Sequence, residues 1–183
     1  MNNQEQQKTT TIAETKHLRL VRRDGWSYVE RVNASGVVCI VALTNEGKVL
    51  FVEQYRPPVG CNVIELPAGL SGDLADQADE ALEEAARREL LEETGYRAKH
   101  LKQKAVVVSS GGLTNEVVTM FVAAGIERIA PGGGDETEKI EVHEVPLKEA
   151  DDWLARAQAA GTLVDGRVYA GLHFLRQEIP NGR

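Results

Sequence analysis

Apolar and polar residues alternate from Lys16 to Arg23, break at Asp24-Gly25, and alternate again through Val32. An Asp-Gly pair between two alternating runs predicts a β-hairpin. Beyond it, Gly36 to Leu43 reads as a buried strand and Asn45-Glu46-Gly47 as a turn. Lys48 to Tyr55 is the return strand, stopped by Pro57-Pro58, and Asn62 to Leu66 is a short strand before Pro67-Ala68-Gly69. Asp73 to Asp79 is a polar loop. From Glu80 the period lengthens: Ala81, Leu82, Ala85, Ala86, Leu90 and Leu91 form one apolar face, and Gly95 closes the helix. Ala105 to Val108 and Glu116 to Ala123 predict two strands joined by Ser109 to Asn115, and Ile140 to Val145 predicts a last one. Helices follow over Leu147 to Ala160 and Val168 to Gln177. These elements predict an α/β fold of the mixed, α+β kind, with layers on both faces of one central sheet. Residues 1–11 are expected to be disordered, 12–33 to form a separate hairpin unit, and 34–183 to form the main domain.

Composition narrows the choice of partner. With 183 residues, 42% hydrophobic and 27% charged, the chain suits one globular domain with a small appendage. A net charge of -7 repels nucleic acid and anionic membrane, so a polyanionic substrate must be met by local cations or bound metal. Cys39 and Cys61 lie in apolar, strand-like contexts and read as buried thiols of a reducing compartment. The Gln-rich stretch Met1 to Thr11 lacks the apolar core of a signal peptide, and no run is long enough to span a bilayer, so a cytoplasmic location is expected.

The candidate chemistry lies in Arg87-Arg88-Glu89-Leu90-Leu91-Glu92-Glu93-Thr94-Gly95-Tyr96. Positions i, i+3 and i+4 share a helix face, so Glu89, Glu92 and Glu93 are expected to converge. Like charges so placed repel unless a cation sits among them. A divalent ion with oxygen ligands answers that need, and magnesium suits because it accepts a few carboxylates and keeps water and phosphate. A solvated acidic face is the alternative.

The same residues resemble the Nudix box, G-x5-E-x7-R-E-U-x-E-E-x-G-U, with Glu80, Arg88, Glu89, Leu90, Glu92, Glu93, Gly95 and Tyr96 in register. That resemblance implies an α/β/α sandwich, a divalent metal, magnesium with manganese as a substitute, and hydrolysis of a nucleoside diphosphate linked to another group. It implies Glu89 and Glu93 as metal ligands, Glu92 as a further ligand or helper, and Arg88 as an ion-pair partner holding the helix to its preceding loop. The pattern's opening glycine falls at Leu74, whereas the glycine after Pro67-Ala68 is Gly69, so the intervening loop is longer than the pattern.

Outside the box, Val52 to Pro58, Ile64-Glu65-Leu66-Pro67-Ala68-Gly69 and Glu136-Thr137-Glu138 resemble the ADP-ribose and nucleotide-sugar pyrophosphatases of that family. The likeness implies a homodimer with exchanged N-terminal strands. It implies an Ala68 carbonyl and Glu138 as metal ligands, Glu136 as general base, and Glu65 as a substrate contact. Arg56 would grip a phosphate or the distal sugar, a surface ion pair being the alternative. Trp26 and Tyr28 share one strand face and read either as core or as a clamp that stacks on the base. Where the subfamily carries Ser-Pro-Gly and a later Glu, this chain has Ser110-Gly111-Gly112 and Glu116. Gly111 and Glu116 are therefore candidate substrate contacts, and a broad nucleoside-diphosphate-sugar specificity is expected rather than a strict one for ADP-ribose. Two rival readings stay open, a Nudix hydrolase of triphosphates or capped RNA and an ADP-ribose sensor that does not cleave. His143, His173 and Trp153 read as structural.

Overall fold

The computed structural model describes residues 9–72, 80–134 and 139–179. Three short strands come first: β1 (Thr10–Glu14), β2 (Leu18–Arg23) and β3 (Trp26–Arg31), paired antiparallel in that order. Asp24 and Gly25 both take positive φ at the β2–β3 turn, as a tight Asp-Gly hairpin requires. The stretch expected to lack structure ran to Thr11, yet a strand already begins at Thr10. Every residue of that strand is exposed, so no apolar alternation marked it.

The main sheet is built on β4 (Gly36–Thr44) and β5 (Lys48–Arg56), joined by the predicted turn. The two pair only at Leu43 and Val49 and then diverge. On one side of this fork, β5 takes β6 (Cys61–Glu65) and, later in the chain, β10 (Glu141–Pro146). On the other, β4 takes β7 (Ala68–Ser71) over its first four residues and lies parallel to β9 (Val117–Arg128), which pairs with the edge strand β8 (Tyr96–Val108). A two-residue β11 (Leu163–Val164) adds to β6 in parallel.

Alternation along β4 feeds two cores. Val37, Cys39 and Val41 face helices α2 (Ala150–Ala159) and α3 (Gly166–Glu178), packing with Leu154, Val168, Leu172 and Leu175. Val38, Ile40 and Ala42 face the single helix α1 (Leu82–Thr94), packing with Ala85, Ala86 and Leu90. The result is an α/β/α arrangement around a mixed sheet, as expected.

Two differences from the sequence reading have plain causes. β8 begins at Tyr96, not Ala105: Arg97, Lys99 and Lys102 are exposed along this edge strand, and a register shift between Gln103 and Ala105 breaks the alternation. β7 occupies the expected Pro67-Ala68-Gly69 loop, because a four-residue strand beginning after a proline carries too little pattern to read.

The N-terminal sheet rests on the main domain through its last strand. The Val29 N–H donates to the Leu113 carbonyl at 2.8 Å, and Arg31 pairs with Glu116. Val21 and Tyr28 are its only buried apolar side chains, so the unit has no core of its own.

Candidate functional site

Helix α1 turns its carboxylates different ways. Glu93, only 3% exposed, points at the sheet and accepts the Ala68 N–H at 3.2 Å. Glu89, one turn earlier on the same side, lies against Gly69. A Cβ at Gly69 would sit 2.0 Å from the Glu89 carboxyl carbon, so any side chain there would displace the Glu89 carboxylate from this position. Glu92, expected to join them, is half exposed and, among the described residues, pairs with Arg88 at 3.2 Å. At about 100° per residue, i and i+4 share a line on the helix more closely than i+3 does.

Arg88 ties this helix to the strand and loop before it. Its Nη2 donates to the Leu70 carbonyl at 2.8 Å, its Nε and Nη2 donate to Glu80, each at 3.1 Å, and its Nη1 reaches Glu89 at 2.9 Å. Its pKa is raised, first by the hydrogen bonds to Glu80. The helix ends on Gly95 in the left-handed region, φ 77°, where a Cβ would meet the Ala130 carbonyl. Gly133 and Gly134 donate to the Glu93 and Glu92 carbonyls, so the described part of the glycine run covers carbonyls that the helix end leaves without partners. Glu136 and Glu138 lie outside the described residues, as does the expected loop Asp73 to Asp79.

Where β4 and β5 diverge a cleft of about 350 Å³ opens, walled by Ala68, Gly69 and Glu93 on one side and Gln54, Arg56 and Glu65 on the other. Three guanidinium groups line it, each held on a carboxylate. Arg56 clasps Glu65, its Nη2 at 2.6 Å, and Gln54 donates to the same carboxylate at 3.1 Å. Arg31 binds Glu116. Arg167 uses Nε and Nη2 on the two oxygens of Asp165, at 2.9 and 2.7 Å. Asp165 also caps α3 by accepting the Arg167 backbone N–H. Burial alone would raise the Asp165 pKa, but the Arg167 fork outweighs it and the value falls below the usual range. Cys39 lies within electrostatic reach of Arg167, Asp165, Glu93 and Glu65. Burial, the largest effect, pushes its thiol up to about 12, so it stays protonated and inert. Cys61, expected to be buried, is partly exposed, and neither thiol is in a disulfide.

The cleft continues along β3. A neighbouring hollow shares Arg31, Val37 and Glu116 with it, and shares Asn115 with a third hollow of about 480 Å³ beside Trp26, Tyr28 and Gly111. Trp26 is 61% exposed and donates its indole N–H to the Gly112 carbonyl at 3.2 Å, while Tyr28 is buried and lies under Arg23. Of the two, only Trp26 offers a broad open face.

Sequence reasoning passed over Arg31, Gln54, Asp165 and Arg167. Asp165 and Arg167 open the last helix, and nothing local in the sequence ties them to the cleft; that link is the β6–β11 pairing. Glu53, Glu141 and His143 also converge, but on the opposite face of the sheet, where the His143 ring leans on Trp153. Trp153 stacks on Phe51 as part of the core, and His173 is exposed beside Gln177.

A family profile described as NUDIX domain matches residues 33–165. A methanol dehydrogenase activator of Bacillus methanolicus is 36% identical over 148 residues, 80% of this chain and 75% of that protein. An ADP-ribose pyrophosphatase of Bacillus subtilis is 38% identical over 122 residues, 66% of this chain and 63% of that protein, so the chain spans just under two thirds of that enzyme. A solved structure described as an ADP compounds hydrolase superposes with a TM-score of 0.69 over 93% of this chain and 90% of that one, at 20% identity. The chain belongs to the NUDIX domain family and is a Nudix hydrolase.

The depressed Asp165 pKa generates a stability prediction. A carboxyl whose native pKa is lowered stabilises the fold above its unfolded value, about 3.9, and that contribution disappears as pH falls through the native value. Denaturant unfolding should therefore show wild type more stable than Asp165→Asn at pH 6, with the gap closing below about pH 4. A gap that widens on acidification would contradict the pairing.

Proposed function

We propose that the protein hydrolyses the pyrophosphate bond of nucleoside diphosphate sugars, ADP-ribose among them, giving a nucleoside monophosphate and a sugar phosphate. The observation that carries this reading is one cleft lined both by Glu93, a helical turn from Glu89, and by three fixed guanidinium groups. A monoanionic or neutral ligand would need neither wall, whereas a diphosphate needs both.

The donor set fits a divalent ion. Two well-buried carboxylates one helical turn apart, with Gly69 leaving them room, are hard oxygen ligands of the kind magnesium or manganese takes. Glu89 and Glu93 would hold it, with the Ala68 carbonyl and Glu138 as further ligands. Bound there, it would neutralise the diphosphate and acidify a water. Glu136 would take the proton from that water. Glu92 serves as a helper at the helix edge, and Arg88 keeps α1 on its strand. Arg56 holds a phosphate with the edge that Glu65 leaves open, and Glu116 steadies Arg31 likewise. Trp26 stacks on the base at the far end of the groove, with Tyr28 beneath and the open backbone at Gly111 beside it. β3 runs between the two ends.

The relatives' names favour this reading over triphosphates, and the carboxylates kept on α1 favour turnover over sensing. The net charge of -7 gives no purchase to RNA. Among the described residues no helix is long and apolar enough to cross a membrane, which accords with a cytoplasmic enzyme. The coreless N-terminal sheet favours a homodimer in which β1–β3 is exchanged, the same contacts to Leu113 and Glu116 being made across the two copies.

Phosphorus NMR of reactions with ADP-ribose, other nucleotide sugars and triphosphates tests the activity. Nucleotide sugars should be cleaved to monophosphates, and chelation should abolish this until magnesium is restored. Trp26→Ala should raise KM about tenfold, the lower range of one lost base stack, with kcat little changed. Preferred turnover of triphosphates, or a fall in kcat alone, would overturn the assignment. Light scattering tests the assembly: the full chain should be a dimer, and a chain beginning at Ala34 should lose it. An active monomer from the shorter chain would rule out exchange.

A further inference from the structure

Arg167 has no counterpart among the residues given roles above, yet the fold delivers it to the cleft by a specific route. β11 adds to β6 in parallel, with Val164 beside Ile64, and the Asp165 N–H donates to the Ile64 carbonyl at 2.9 Å. The next residue along β6 is Glu65, so the start of α3 is fixed beside the carboxylate that holds Arg56. Asp165 then caps the helix and clamps the Arg167 guanidinium by its Nε–Nη2 edge. The Nη1 amine takes part in neither bond.

That is the geometry of a preset anion grip. A planar guanidinium held by one edge keeps its orientation and presents the other edge, so little freedom is lost when a phosphate oxygen arrives. Arg56 is held the same way by Glu65, and the two forks line one opening. An arginine serving only to balance Asp165 would not need to line this cleft, because Asp165 already has a helix N-terminus to stabilise it.

We infer that Arg167 is a substrate-positioning residue that binds the phosphate farther from the base, so that the site measures a diphosphate rather than a monophosphate. This rests on the nucleoside-diphosphate reading of the cleft. The group is bound in substrate and transition state alike, so its loss weakens binding more than turnover.

Calorimetric titration with ADP and with AMP, in magnesium, separates this role from a structural one. Wild type should bind ADP more tightly than AMP. Arg167→Gln should weaken ADP about tenfold or more, the scale of a lost charge-assisted hydrogen bond, and leave AMP within about twofold. Arg167→Lys, which keeps the charge without the fork, should fall between. Asp165→Asn, which keeps the cap but not the clamp, should weaken ADP less than Arg167→Gln does. In steady state, Arg167→Gln should raise KM for ADP-ribose with kcat within about threefold. Equal weakening of ADP and AMP, no weakening of either, or an Asp165→Asn loss as large as that of Arg167→Gln would overturn the inference. If wild type cleaves no nucleotide sugar while the ADP-over-AMP contrast depends on Arg167, the hydrolytic reading fails and the phosphate grip stands.

Discussion

Two carboxylates held out of water against a sheet are the constraint on which the rest of this structure turns. Burying a carboxylate carries a desolvation cost even when it is paired, and a second like charge one helical turn away adds repulsion. Glu93 and Glu89 accept both penalties. The surroundings offset them in part, through the Ala68 N–H on Glu93 and the Arg88 guanidinium on Glu89. Gly69 leaves the Glu89 carboxylate its space, which a side chain at that position would take. The early divergence of β4 from β5 follows the same logic, since a closed ladder would leave those carboxylates nothing to face.

The cleft joins opposite electrostatic designs. Its α1 wall is acidic and its far wall carries guanidinium groups, each already paired with a carboxylate of this chain. Paired arginines are cheaper to bury than bare ones and stay oriented, so the chain can carry a net charge of -7 and still present donors to an anion. The groove then runs along β3 toward Trp26, so the fixed distance between aromatic end and charged end is set by one strand.

What the sequence made legible was whatever depends on local period. The α1 face, its Gly95 stop, the Asp24-Gly25 hairpin and the β4–β5 turn all follow from spacing within one element. Glu89 and Glu93 could be picked out because i and i+4 meet on any helix. Glu92 could not be separated from them, because how far each side chain is buried depends on where the helix sits on the sheet. The role of Arg167 beside the cleft was invisible for a deeper reason. It follows from the pairing of Val164 with Ile64, two residues a hundred positions apart whose strand contributes only two residues. β8 was misread from Tyr96 to Lys104 because an edge strand may carry charges on its open side without penalty.

The central claim is that Glu93 serves as a ligand for a divalent ion, and thermal unfolding of wild type and Glu93→Gln with and without magnesium tests it most directly. In chelator, Glu93→Gln should still fold cooperatively, because an amide oxygen still accepts the Ala68 N–H. Magnesium should raise the wild-type midpoint by several degrees, as a ligand of the native state does, and leave the variant nearly unmoved. A wild-type midpoint indifferent to magnesium, or a variant midpoint raised by magnesium as much as that of wild type, would contradict the account.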